Sequence, residues 1–131
     1  MIKKILALIP LAVLLLAGCK EHEDIVWPHE VYIEPADTTI TVGSSGILRP
    51  VFEPEEARLF NNRYFNTTWY SSDPNVVEVA PISGRVTGVS VGTATISVIS
   101  DTNFKNEEGY WVTTIGSSCE VHVIDGKLNP Q

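Results

Sequence analysis

The feature that most limits what this chain can fold into is a two-residue alternation of apolar and polar side chains. It is broken every few residues by turn formers. In residues 93–99, Ala94, Ile96 and Val98 fall in phase against Thr93, Thr95 and Ser97. In residues 119–124, Cys119, Val121 and Val123 oppose Glu120 and His122. Shorter runs occur at 30–34, 38–42, 47–52, 67–72, 76–80 and 85–89, separated by Gly43, Pro54, Asp73-Pro74, Ser83-Gly84, Gly88 and Gly92. After residue 29, no window of twelve shows apolar residues at helical spacing. Side chains alternate across a strand, so each run has one apolar face that must be buried against another sheet. The expectation is an all-β, antiparallel sandwich without helices. Trp69 is expected at its centre, because a Trp buries a large apolar area. Pro50 has no N–H and is expected at an edge or a bulge.

The N-terminus reads differently. Lys3 and Lys4 precede an apolar run of twelve residues, 5–16, interrupted by Pro10. That is too short to span a bilayer and has the form of a secretory signal. Leu16-Ala17-Gly18-Cys19 resembles a bacterial lipobox. The resemblance implies a lipoprotein signal peptide at 1–18, cleavage before Cys19 and lipidation of that residue, with palmitate-like chains on its thiol and new amino group. Two or more acyl chains hold a protein stably on a membrane. The acidic stretch Lys20-Glu21-His22-Glu23-Asp24 resembles a surface-export signal of lipoproteins in one group of gram-negative anaerobes. The implied location is the outer membrane, lipid-anchored and facing the cell surface, with the periplasmic face as the alternative. Residues 19–29 therefore read as lipidated cysteine and acidic tether, and 126–131 as a C-terminal tail.

Cleavage leaves 113 of the 131 residues, enough for one domain. All 16 acids lie after residue 18 against seven of the nine bases, a net charge of −9. This argues against nucleic acid, which needs a basic patch. Two stretches break the rhythm of short strands: 53–66 and 100–118 are long, and long loops in compact domains often carry function. Residues 110–115 are alternatively a hairpin arm that extends the last strand. These regions hold aromatics with no assigned place in the core. Tyr64, Phe65, Tyr110 and Trp111 are the candidate ligand-binding residues, and Tyr70 is a further ring of the same platform. The competing reading is that Phe65 and Trp111 cap the ends of the sandwich.

Several motifs carry a family resemblance. Residues 69–79, Trp-Tyr-Ser-Ser-Asp-Pro-Asn-Val-Val-Glu-Val, are followed by residues 84–96, Gly-Arg-Val-Thr-Gly-Val-Ser-Val-Gly-Thr-Ala-Thr-Ile. With Thr39-Ile40-Thr41-Val42-Gly43, Leu48, Pro54 and residues 119–123, they resemble bacterial immunoglobulin-like domains of group 2 in order and spacing. The resemblance covers 30–125 and implies an immunoglobulin-like Greek-key β-sandwich of the kind found in cell-surface proteins and adhesins. It also implies a non-enzymatic protein that adheres to, or binds, a protein or glycan partner. The alternative is a structural or accessory envelope subunit with no dedicated ligand. Asp37-Thr38-Thr39 resembles a short O-glycosylation acceptor pattern.

The chemical signals are sparse. Cys119 has no disulfide partner if Cys19 is lipidated, and it reads as a buried apolar residue. His122 is three residues on, so it should face the other side of the strand. His22, His29 and His122 lack metal-ligand spacing. Asp73, Asn75, Asp101 and Asn103 read as turn residues rather than a calcium loop. Glu55-Glu56 and Glu107-Glu108 are adjacent pairs that read as solvated loop charge. No cofactor, metal or catalytic residue is expected.

Overall fold

The computed structural model describes residues 24–126. The expected signal peptide at 1–18, Cys19, residues 20–23 of the expected tether and residues 127–131 lie outside that range. Among the described residues nine strands run in chain order: β1 (Glu30–Glu34), β2 (Asp37–Thr41), β3 (Ser45–Ile47), β4 (Arg49–Glu53), β5 (Thr67–Ser71), β6 (Val77–Val79), β7 (Arg85–Gly88), β8 (Gly92–Lys105) and β9 (Trp111–Ile124). One sheet has the order β2-β9-β8-β5. The other layer is built from β3-β7-β6 and the pair β1-β4, joined because only Leu48 separates β3 from β4. The immunoglobulin-like sandwich is thus the fold of this chain. Its pairing is antiparallel except that β2 runs parallel to β9 (Asp37 opposite Glu120, Thr41 opposite Ile124), so that sheet is mixed.

The alternating runs do bury their apolar phase. Val31, Leu48, Phe52, Trp69, Val77, Val86, Ile96, Val98, Val121 and Val123 form the core, with Cys119 beside them. Trp69 is 2% exposed and bridges the layers, its strand paired to β8 through Val98. Pro50 sits in the two-stranded β1-β4 pair opposite Ile33, where a missing N–H is tolerated.

Three expectations are corrected. The loop 53–66 is not free of helix, because Glu55–Phe60 forms a 3-10 helix that buries Ala57 and Phe60. The stretch 100–118 is not a loop. β8 continues to Lys105 and β9 begins at Trp111, leaving a short turn, as the hairpin-arm alternative requires. Residues 25–29, expected as part of an acidic tether, belong to the folded body. Ile25, Val26 and Trp27 pack against the core and Pro28 is buried, so the folded body begins near Ile25. Their apolar side chains cover a sandwich end that would otherwise expose Phe65, whose ring lies 6.1 Å from that of Trp27 and 5.6 Å from that of Phe52. Among the described residues no helix is long and apolar enough to cross a membrane.

Candidate functional site

The long hairpin is the most distinctive surface of the molecule. β5 supports β8 only as far as the pair Thr67–Ser100. Beyond it, β8 and β9 continue as a two-stranded ribbon for five more residues, about 17 Å at strand rise. A bulge sits in this arm: Thr102 and Asn103 lie between the pairs Asp101–Thr114 and Phe104–Val112, so two residues of β8 face one of β9.

An isolated ribbon is marginal in water, and this one is braced from its base to Phe104. The Thr102 hydroxyl donates to the Pro28 carbonyl. The His29 ring stacks on Phe104 with centroids 3.9 Å apart and planes 10° from parallel. Asn66 and Asp101 exchange bonds: the Asp101 N–H donates to the Asn66 carbonyl at 3.0 Å, and the Asn66 N–H to Asp101 Oδ2 at 3.2 Å. The two long insertions and the N-terminal strap therefore meet at one end of the sandwich.

The turn itself is Asn106-Glu107-Glu108-Gly109. Asn at the first place and Gly at the fourth suit a tight turn. Asn106 Oδ1 accepts from the N–H of Glu108 at 3.0 Å and of Tyr110 at 2.9 Å. The Gly109 N–H donates to the Asn106 carbonyl at 3.0 Å, and the Asn106 N–H to the Tyr110 carbonyl at 2.8 Å. Gly109 takes φ +90°, a conformation that side chains disfavour. Replacing Asn106 by alanine removes two side-chain bonds at an exposed site, so the expected cost is about 1 kcal/mol or less. Amide exchange of Glu108 and Tyr110 should quicken while core amides keep their protection; unchanged tip exchange would show that the side chain does not hold the turn.

This rigid turn displays two of the four candidate rings. Tyr110 is 70% exposed and Trp111 is 62% exposed. Lys105, directly across from Trp111, holds its ammonium 5.5 Å from the indole centroid, leaving the rest of the ring open. Trp111 has the parity of the inward residues Cys119, Val121 and Val123, but it lies beyond the reach of the opposing layer.

The other two candidates are placed elsewhere. Phe65 is 3% exposed and belongs to the core, so it cannot stack on a ligand; here the capping alternative is the right one. Tyr64 is 42% exposed, but its ring packs against Phe60 at 5.7 Å and lies under the Arg63 guanidinium at 5.3 Å. Among the described residues no ring contact joins Tyr64 to Tyr110 or Trp111. Tyr70 lies apart from both, in an open cleft of about 570 Å³ between the edge strands β5 and β6, with Glu78, Pro81 and Arg85 on its walls. The single expected platform is thus three separate surfaces.

The sequence reading missed the supports of the tip: Asn106, Lys105, the bulge, and the strap residues Trp27, Pro28 and His29. The Asn-Glu-Glu-Gly turn was a usable signal, since turn chemistry flanked by β-branched and aromatic residues marks a hairpin.

Among the described residues no group of three His, Cys, Asp or Glu side chains is placed to hold a metal ion. Burial pushes the Cys119 thiol above its usual range, and the Asp37 carboxylate adds to this. His122 faces the opposite side, with Nδ1 3.0 Å from the Thr93 hydroxyl and Nε2 3.3 Å from Asp37 Oδ1. Asp73 acts as a turn residue: its Oδ1 accepts from the Asn75 N–H, and its carbonyl from the N–H groups of Val76 and Val77.

The family model described as bacterial Ig-like domain (group 2) matches residues 29–109. The match ends within the hairpin turn, so Tyr110, Trp111 and all of β9 lie beyond it. No curated protein matches the chain.

Proposed function

The chain belongs to the bacterial Ig-like domain family of group 2, and from that premise we propose that it is a non-enzymatic cell-envelope lipoprotein whose immunoglobulin-like domain binds a protein or glycan partner. Domains of this family are common in surface and adhesion-related proteins and are generally non-catalytic. Cys19 is the lipid-bearing residue of the proposal, and the outer membrane its location. The observation that carries the binding reading is the hairpin tip. Exposed Tyr and Trp rings on a turn already held by its own hydrogen bonds lose little freedom on binding, and such rings dominate the energetics of interfaces. The charged rim of Lys105, Glu107 and Glu108 suits a specific contact rather than indiscriminate adhesion.

Two measurements test this. Cys19→Ala should move the protein from the membrane fraction to the soluble one; a variant that still sediments with membranes removes the anchor from the proposal. Trp111→Ala should weaken partner capture and glycan-array binding by at least tenfold while shifting the melting temperature by no more than a few degrees. Equal capture by both forms would leave the structural-subunit reading in its place, and a large loss of stability would place Trp111 in the fold rather than in a site.

A further inference from the structure

We infer that the partner of the Tyr110–Trp111 tip is a protein embedded in the same membrane as the lipid anchor, met in cis rather than on another surface. The inference rests on the reading of Cys19 as lipidated. It follows from where the chain enters the fold. The strap 25–29 packs along the hairpin arm from its base to within one residue of the end of β8: Trp27 against Phe65, the Pro28 carbonyl on Thr102, and His29 on Phe104. From Cys19 to Ile25 there are six residue steps, at most about 20 Å fully extended. The arm projects about 17 Å past its last β5 pair, from the same end of the sandwich. The point where the chain enters the fold and the tip therefore share one end, and the greatest length of the tether is close to that of the arm. The opposite end is far away: thirteen steps of β9 separate Trp111 from Ile124, about 43 Å.

These lengths decide which partners can arrive. A globular domain of 100 residues has a radius of gyration of about 13 Å, so it is roughly 34 Å across. It does not fit into a gap of about 20 Å between the anchored body and the membrane. A partner already seated at membrane level does. The tip is convex, so the cavity that receives the rings has to belong to the partner, which points to a folded protein surface. The bilayer itself is a poorer match. Glu107 and Glu108 occupy the turn, and the chain after residue 18 carries a net charge of −9, so headgroup insertion would bring acidic groups into the interface.

The test uses the full-length lipidated protein with a photoreactive aromatic residue in place of Tyr110, leaving Trp111 intact. Producing cells are mixed with isotope-labelled cells of the same strain that lack the protein, and then irradiated. The expected adducts carry unlabelled partner peptides in at least tenfold excess over labelled ones, and the partner stays in the membrane after an alkaline wash. Inserting twenty Gly/Ser residues after Lys20 opens the gap and should raise the labelled share. Equal labelled and unlabelled adducts with the native tether would overturn the cis placement while leaving partner binding intact. Adducts to lipid alone would overturn the protein partner. No adduct in either population, together with no loss of capture by Trp111→Ala, would take the binding reading down as well.

Discussion

Replacing Trp69 by alanine is expected to cost about 3–5 kcal/mol, as full truncation of a core aromatic does. The side chain is 2% exposed and stands where both layers converge. Its removal leaves a cavity lined by groups that cannot easily collapse, because the backbone stays fixed: the main-chain N–H of residue 69 donates to the Pro81 carbonyl at 2.9 Å and its strand is paired to β8. For a domain near 100 residues each kcal/mol is worth about 4–8 °C, so the melting temperature should fall by roughly 15 °C or more. Thermal unfolding followed by circular dichroism reads this directly. A loss below about 1 kcal/mol would mean that the layers are held together elsewhere. Trp111→Ala is the informative contrast: the same residue type, beyond the opposing layer, should cost little stability and most of the binding.

Gly84→Ala is expected to destabilise by about 3 kcal/mol, although it adds one methyl group. Two penalties coincide. Gly84 has φ +78°, which costs an L side chain about 1–2 kcal/mol. The added Cβ would also lie 2.5 Å from the Leu48 carbonyl oxygen and 3.0 Å from Trp69 Cε2. Backbone and an immobile indole cannot move aside, and the Gly84 carbonyl accepts the Leu48 N–H at 3.0 Å, so a shift would also strain that bond. Overpacking of this kind typically adds 1–3 kcal/mol. Denaturant unfolding should show a lower midpoint with an unchanged slope. Gly43→Ala supplies the control, since it pays the positive φ but meets nothing within 4 Å. If the two variants cost the same, the close approach to Leu48 and Trp69 contributes nothing.

Much of the fold was legible in the sequence because its signals are local. Period-two alternation marks the inward residues of β8 and β9 without knowledge of their partners. Turn chemistry marks most strand ends. The same local rules fail where tertiary support replaces local pattern. Residues 101–105 do not alternate by hydropathy, yet they are strand, because β9 pairs with them and the strap braces them. Leu48 reads as an inward residue within one run, 47–52, but it is the point where the chain passes from β3 to β4, and only the pairings with β7 and β1 reveal that. Phe65 and Trp111 are both aromatics in long insertions and look equivalent in sequence. Trp27 and Phe52 bury the first, whereas the second meets only the Lys105 ammonium across the hairpin and stays 62% exposed.

What the sequence determined by itself is the fold class, the family and the inward phase of the strands, because apolar periodicity and turn residues act over a few residues. What only the tertiary structure decided is which rings are free. Exposure depends on residues far apart in the chain: Pro28 on Thr102, His29 on Phe104, Asn66 on Asp101. Those contacts turn an apparent loop into a braced arm, and they set the arm beside the point where the chain enters the fold.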